Sequence, residues 1–146
     1  MKHIESYEQR DVISWARIAS RQYPELEWLH SSLNGVKVNS IRQAQILKAE
    51  GMKSGICDLF LPLPKWTFND SGDKIMQYAG LYIEMKKPKT ASSAKGSLSQ
   101  SQKDFIEYAN SVGYKASVAY GAREAIQIIK DYLNLPSALI IRKEKK

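Results

Sequence analysis

The sequence predicts an α/β domain in which a central mixed β-sheet is flanked by α-helices. Helix-capping patterns open several segments whose apolar residues recur about every 3.6 positions. Short apolar runs bounded by glycine, proline or asparagine lie between them, in the order α, β, α, β-β, α, β, α. The 146 residues suit one domain with a real core. We assign residues 1–136 to this domain and 137–146 to a basic C-terminal tail.

The first helix is predicted to open at Ser6, because Ser6 and Gln9 have the spacing of a capping box. Pro24 ends the element. The apolar residues at helical spacing form one predicted buried stripe: Val12, Trp15, Ala16 and Ala19.

A short strand near residues 27–33 is predicted next, closed by a turn at residues 34–35, an Asn-Gly pair. Ser40 and Gln43 repeat the capping-box spacing and open a second helix. Gly51 follows its end, where glycine is the favoured residue.

Two apolar segments then predict a pair of neighbouring strands, "GICDLFLPLP" over 55–64 and "GLYIEMK" over 80–86. The polar segment 65–79 between them is interpreted as the loop of a long hairpin. Strand alternation places six residues of the second strand on two opposite faces: Leu81, Ile83 and Met85 on one, Tyr82, Glu84 and Lys86 on the other.

A third capping box at Ser99 and Gln102 opens the next helix, and the strand "YKASVAY" follows over 114–120. Gly121 turns the chain into the last helix, and Pro136 stops it. The inward face of that helix is predicted to consist of Ala125, Ile128, Ile129 and Tyr132.

Composition excludes several classes of protein. No apolar run approaches the roughly 20 residues needed to span a bilayer, and the N-terminus lacks the apolar core of a secretory signal. The single cysteine, Cys57, cannot form an internal disulfide and has no CxxC neighbour for a zinc knuckle. We therefore expect a cytoplasmic protein that contacts no membrane.

The positive charge is concentrated in two segments. The net charge is +7, yet residues 85–103 hold five lysines and no acid, and residues 141–146 add a net +3, so the remainder carries −1. A local basic surface is typical of proteins that bind nucleic acid. A solvated loop and tail would give the same charge pattern, so the charge alone leaves both interpretations open.

Two carboxylates point to a metal site. Asp58 is predicted to lie within an apolar strand, on the face of Ile56 and Phe60, and Glu84 can face it from the next strand. Carboxylates so close repel each other unless a cation joins them, and oxygen ligands suit Mg²⁺ or Mn²⁺. Lys86 shares a face with Glu84 and can orient a water or neutralise a phosphate. This predicts metal-assisted hydrolysis of a phosphodiester, with no organic cofactor.

This combination resembles the PD-(D/E)xK nuclease superfamily, and more narrowly a small stand-alone VRR-NUC domain of phage or bacterial type. The segments that carry the resemblance are Glu8, "LKAEGMKSGICDLFLPLP", "GLYIEMK", "LSQSQKDFIEYANSVGY" and "GAREAIQIIKDYL". It spans about residues 5–133. Cys57 departs from the family pattern, which has proline before the first acid.

The resemblance implies a restriction-endonuclease-like core and a Mg²⁺- or Mn²⁺-dependent DNA endonuclease. Asp58, Glu84 and the Met85 carbonyl would bind the metal, and Lys86 would be the catalytic lysine. The same resemblance makes Glu8 a further acid near the metal and Gln102 a residue that shapes the site. Four lysines are expected to bind DNA: Lys87, Lys89, Lys95 and Lys103.

The resemblance also implies a homodimer that cuts branched DNA, as Holliday-junction resolvases do. A monomeric nuclease that cuts flaps or nicks duplex is the alternative. A DNA-binding module without catalysis and a basic subunit of a phage or bacterial assembly are two further hypotheses. Trp66 and Phe68, aromatic residues in a polar segment, suit a base-stacking surface, a subunit interface or a simple cover over the hairpin.

Overall fold

The chain folds into a mixed sheet with helices on both faces, as the sequence predicts. The computed structural model describes residues 3–32, 38–90 and 96–135. The α-helices in this part of the chain are α1 (His3–Ala19), α2 (Ile41–Ala49), α3 (Gln100–Ser111) and α4 (Ala122–Tyr132), and a 3₁₀ helix covers Pro24–Trp28. The strands are β1 (His30–Ser31), β2 (Leu59–Leu61), β3 (Lys65–Phe68), β4 (Lys74–Tyr78), β5 (Leu81–Lys86) and β6 (Lys115–Tyr120).

The main sheet has the strand order β1-β2-β5-β6. β1 and β2 are antiparallel, as are β2 and β5, whereas β5 and β6 run parallel. The parallel pair is joined by α3, the crossover that a parallel connection requires. As a result, the carboxyl ends of β5 and β6 lie at the same edge of the sheet, with Lys86 paired to Tyr120.

The two faces of β5 are buried against different partners. Leu81, Ile83 and Met85 are almost fully buried in the core cluster that α1 and α4 cover. Tyr82 lies on the opposite face, where its ring stacks on Phe60 with centroids 4.3 Å apart and meets Phe105 of α3 edge-on. The alternation predicted for β5 is therefore correct, and it explains why this strand is buried on both faces.

Two elements near the N-terminus differ from the prediction. α1 begins by His3, so Ser6 lies inside the helix and does not cap it. The start of the predicted strand, residues 27–28, belongs instead to the 3₁₀ helix, because Pro24 at its first position fixes a helical φ angle. Among the described residues 29–32 that follow, His30–Ser31 forms a strand.

The interpretation of residues 65–79 as a simple loop is wrong. Lys65–Phe68 and Lys74–Tyr78 form an antiparallel hairpin of their own, separate from the main sheet. The polar and apolar residues that alternate in "KWTF", next to the turn-forming segment 69–72, favour such a hairpin. β2 and β5 still pair, as predicted, with Leu61 opposite Leu81.

The other helix boundaries follow the predicted signals. Ser40 accepts a hydrogen bond from the Gln43 amide at the start of α2, and Ser99 and Gln102 form a complete capping box at the start of α3. The turn predicted at residues 34–35, Lys95, the stop at Pro136 and the tail 137–146 lie outside the described residues. Within the described ranges, none of the helices combines the length and apolarity needed to cross a bilayer.

Candidate active site

Asp58 lies directly before β2 and not inside it, which corrects the prediction from the sequence. Its side chain explains where the strand begins: Oδ2 accepts a hydrogen bond of 2.7 Å from the Met85 amide of β5. The carboxylate thus accepts the Met85 amide hydrogen bond that a backbone carbonyl of the neighbouring strand would otherwise accept. The main chain of Asp58 remains tied to the sheet edge, since its carbonyl accepts from the Ser32 amide at 2.8 Å.

Glu84 is a buried acid, with a side chain that is only 3% exposed. Its Oε1 accepts a hydrogen bond of 2.8 Å from Nε2 of Gln102. Its Oε2 is buried and has no hydrogen-bond partner among the described residues. If Glu84 is ionised, its Oε2 has neither a hydrogen-bond donor nor a cation beside it, and burying a charged oxygen without such a partner is costly.

Gln102 connects the buried acid to the buried lysine. Its amide oxygen accepts from Nζ of Lys86 at 3.2 Å, while its amide nitrogen donates to Glu84. The same oxygen accepts from the Ser99 amide at 3.0 Å, as part of the capping box of α3. The start of α3 therefore fixes which end of the Gln102 amide faces each charged group.

The two carboxyl groups act on each other electrostatically. Burial, and next to it the charge of Asp58, raises the pKa of Glu84 to about 8, against the smaller opposing effect of Lys86. Burial also raises the pKa of Asp58, although the hydrogen bond from Met85 works in the other direction. In the metal-free protein, a protonated Glu84 can donate to Asp58, and this contact gives its second oxygen a partner.

Glu5 of α1 acts electrostatically on this pair, although no motif in the sequence pointed to it. The negative charge of Glu5 contributes to the raised pKa of both Asp58 and Glu84. Glu8, one turn later, accepts a hydrogen bond of 2.5 Å from the Ala122 amide and so occupies the start of α4. Glu5 lies three positions before Glu8 and shares its helix face, so this spacing could have identified Glu5 as a second candidate. A role for Glu8 near the metal stays a prediction.

The predicted DNA-binding lysines are distributed around the site. Lys87 and Lys89 follow β5 directly, and Lys89 is exposed, with Nζ 4.4 Å from the centroid of the Tyr120 ring. Lys103 is exposed on the first turn of α3, next to Gln102. Lys95 is among the residues that the structure does not describe.

Gly55 brings the segment before Asp58 against the start of α3. A β-carbon at this position would lie 2.3 Å from the backbone oxygen of Ser101, and φ is +90°. Only glycine allows this approach and this backbone angle. Cys57, which follows closely, is buried; burial and then the charges of Glu84 and Asp58 raise the pKa of its thiol to about 12.

The donor set suits a hard divalent cation. Asp58 and Glu84 supply carboxylate oxygens, and the Met85 carbonyl projects from the same strand edge as its amide, toward Asp58. Residues 3–32, 38–90 and 96–135 contain no group of three or more His, Cys, Asp or Glu side chains arranged to hold a metal. Two carboxylates nevertheless fit Mg²⁺, which commonly keeps several waters and takes further oxygens from a phosphate substrate.

Comparison with known proteins identifies the family to which the chain belongs. The family model of the VRR-NUC domain matches residues 3–123. A solved structure described as a VRR-NUC domain protein is similar over 90% of this chain and 89% of its own, with a TM-score of 0.65 and 28% sequence identity. No curated protein sequence matches the chain. Because the family model covers most of the residues and includes Asp58, Glu84, Lys86 and Gln102, this chain belongs to the VRR-NUC domain family, which implies that it is a nuclease.

Proposed function

We propose that this nuclease is an endodeoxyribonuclease that depends on Mg²⁺ or Mn²⁺. The observation that carries the proposal is the buried Glu84, which adjoins Asp58 and whose Oε2, when the group is ionised, lacks a hydrogen-bond partner within the described residues. A bound divalent cation would satisfy this oxygen and remove the repulsion between the two carboxylates. A protein that only binds DNA has no need of buried acids that repel phosphate.

Each side chain has a distinct part in the proposed hydrolysis. Asp58 and Glu84 hold the cation, which when bound stabilises charge on the phosphate and favours deprotonation of water. Lys86, held by Gln102, orients the attacking water or neutralises the phosphate. The water gives up a proton as its oxygen bonds to phosphorus, the bond from phosphorus to the leaving oxygen breaks, and the leaving oxygen gains a proton. Gln102 positions both groups and need not touch the substrate.

The first test is cleavage of labelled DNA in the presence of Mg²⁺, Mn²⁺ or EDTA. Asp58→Asn and Glu84→Gln should abolish cleavage and weaken Mn²⁺ binding, because each removes a negatively charged ligand. Lys86→Ala should abolish cleavage but retain substantial Mn²⁺ affinity, measured by calorimetry. A wild-type protein that cleaves equally well in EDTA would contradict the metal dependence, and an active Lys86→Ala variant would contradict the role of the lysine.

We further propose that the substrate is branched DNA and that the active form is a homodimer. One active site makes one cut, whereas resolving a four-way junction takes two cuts related by symmetry, which a two-fold dimer supplies. The hairpin β3–β4 offers a surface for the second copy. Trp66 and Phe68, 45% and 70% exposed, share one of its faces with Met76. Exposed aromatic residues of this kind are typical of interface cores.

Light scattering near micromolar concentration, followed by mapping of cuts on a four-way junction, tests this second proposal. A dimer that introduces paired symmetric cuts is expected. A monomer that cuts flaps and ignores junctions would overturn the dimeric proposal and leave the metal-dependent nuclease intact.

A further inference from the structure

A crevice lies beside the candidate active site, beyond the carboxyl ends of β5 and β6. We name it the α4 crevice; its walls include Glu8, Pro88, Lys89, Tyr120, Arg123 and Gln127, and its volume is about 620 Å³. This volume falls within the roughly 300–1,000 Å³ of typical ligand sites. In open α/β sheets, ligands bind at the carboxyl ends of parallel strands, and β5 and β6 are the parallel pair of this sheet.

The α4 crevice and the active site share the backbone of Lys86. The Lys86 carbonyl accepts a hydrogen bond of 2.9 Å from the amide of Gly121, which lines the crevice. The Lys86 side chain instead enters the active site, where it donates to Gln102. The crevice and the active site are therefore neighbours at the carboxyl end of β5.

The rim of the crevice carries two cations, Lys89 and Arg123, and one exposed acid, Glu124, beside Arg123 on α4. Lys89 is exposed, and Arg123 is exposed on the first turn of α4. Lysine and arginine are the usual partners of backbone phosphates. Gln127 lies one turn after Arg123, and its amide offers both donors and an acceptor.

The inner part of the crevice suits a neutral group. The backbone amide of Ala122, at the start of α4, donates a hydrogen bond of 2.5 Å to the Glu8 carboxylate. The helix start is therefore not open to a phosphate. The negative charge of Glu8 also disfavours a phosphate there. Pro88 and the Tyr120 ring supply apolar surface of the kind on which a base or a sugar packs, and Nζ of Lys89 lies 4.4 Å from the centroid of that ring.

We propose that the α4 crevice binds one nucleotide of the DNA strand that is cut, immediately beside the scissile phosphate. Its phosphate contacts Arg123 and Lys89 at the rim, and its base or sugar packs against Tyr120 and Pro88. This proposal rests on the proposed nuclease function, since it takes the strand at the Asp58–Glu84 site as the one that continues into the crevice.

The test compares Arg123→Ala with Arg21→Ala, which removes the same charge from an exposed position beyond the far end of α1. From Glu8 to Ala19 alone, the helix spans about 17 Å. Binding of fluorescein-labelled duplex and junction DNA is measured by anisotropy in EDTA, where no cleavage is expected. Arg123→Ala should weaken binding about tenfold or more, the effect of removing a hydrogen bond to a charged group, and Arg21→Ala less than about twofold.

A neutralised phosphate then locates the contact. DNA carrying a single methylphosphonate is prepared for each phosphate within three nucleotides of the cut. One position should weaken binding by the wild-type protein and by Arg21→Ala clearly more than binding by Arg123→Ala, because one of the two proposed partners of that phosphate is already absent from Arg123→Ala. Purely additive effects at every position would overturn the proposal.

The two proposals fail in different ways. Arg123→Ala should keep wild-type Mn²⁺ affinity and thermal unfolding temperature, because Arg123 is exposed on α4 and belongs neither to the Asp58–Glu84 pair nor to the core. If wild-type protein cleaves DNA but Arg123→Ala binds and cleaves normally, the crevice proposal is wrong and the nuclease stands. If no DNA is cleaved under any metal condition, the nuclease proposal is wrong, whatever the methylphosphonate result.

Discussion

Binding of Mn²⁺ should release a proton from Glu84 at neutral pH. Burial and the charge of Asp58 raise the pKa of Glu84 to about 8 in the metal-free protein, and a cation requires the ionised form. At pH 7, about nine-tenths of Glu84 is then protonated, so each bound ion should displace about 0.9 proton. At pH 9 the same reasoning gives about 0.1 proton. The value belongs to the Asp58–Glu84 pair, because the two groups titrate together.

Metal affinity should follow the same titration. Below pH 8, each unit of rising pH increases the ionised fraction of Glu84 up to tenfold, so the apparent Mn²⁺ affinity rises by up to that factor. Above pH 8 the affinity levels off. Calorimetric titrations in buffers of different ionisation enthalpy measure the number of protons released directly. Heats that do not depend on the buffer at pH 7 would refute the reasoning.

The stability of the metal-free protein gives an independent check on the same pKa. Glu84 has its ordinary pKa of 4.5 when unfolded and a raised pKa when folded, so between pH 4.5 and about 8 the folded state binds more protons. The energetic cost of burying this ionised acid is therefore absent at low pH. It grows as pH rises through this window, by at most about 1.4 kcal/mol per pH unit. Urea denaturation in EDTA measures this slope. Glu84→Gln, which cannot titrate, should remove it, and identical pH curves for the two proteins would contradict the raised pKa.

Three further predictions address other parts of the structure. Gly55→Ala should lower the free energy of unfolding, measured by urea denaturation, by more than the roughly 1–3 kcal/mol expected from backbone strain alone, because the added β-carbon also meets Ser101. Gly51→Ala is the control, since Gly51 also has a positive φ, +104°, but an added β-carbon there meets no atom within 4 Å. Replacing Lys87 and Lys89 together by alanine should flatten the dependence of log K on log salt by up to about 0.9 for each phosphate that these lysines neutralise, and an unchanged slope would mean that they are only solvated. Replacing Phe68 by serine should shift the proposed dimer toward monomer in light scattering at equal concentration, with Mn²⁺ binding unchanged; a dimer of undiminished stability would exclude this face of the hairpin as its interface.

Local patterns in the sequence were enough to predict much of this fold. The two-residue alternation of "GLYIEMK" set the faces of β5, because a strand has no other way to direct Leu81 and Glu84. The capping box of Ser99 and Gln102 set the start of α3, because both of its hydrogen bonds lie within four residues. The acids Asp58 and Glu84 were identified for a similar reason: an ionisable side chain in an apolar segment conflicts with its surroundings wherever the strands are placed.

Other features depended on contacts between segments distant in sequence. The hydrogen bond from Met85 to Asp58 joins residues 27 positions apart and excludes Asp58 from the strand. Gln102 reaches Glu84 across 18 positions, and this bridge makes a capping residue part of the site. Such contacts follow from how elements pack, which no local pattern specifies.

The sequence by itself determined that α1 carries two acids one helical turn apart, and only the tertiary structure decided their different surroundings. Glu5 and Glu8 lie three positions apart and so share one face of the helix, which makes them equivalent in any helical pattern. The position of α1 along the sheet separates them. It brings the charge of Glu5 to bear on Asp58 and Glu84, and it sets Glu8 against the first amide of α4, because that amide is free at a helix start and attracts a carboxylate.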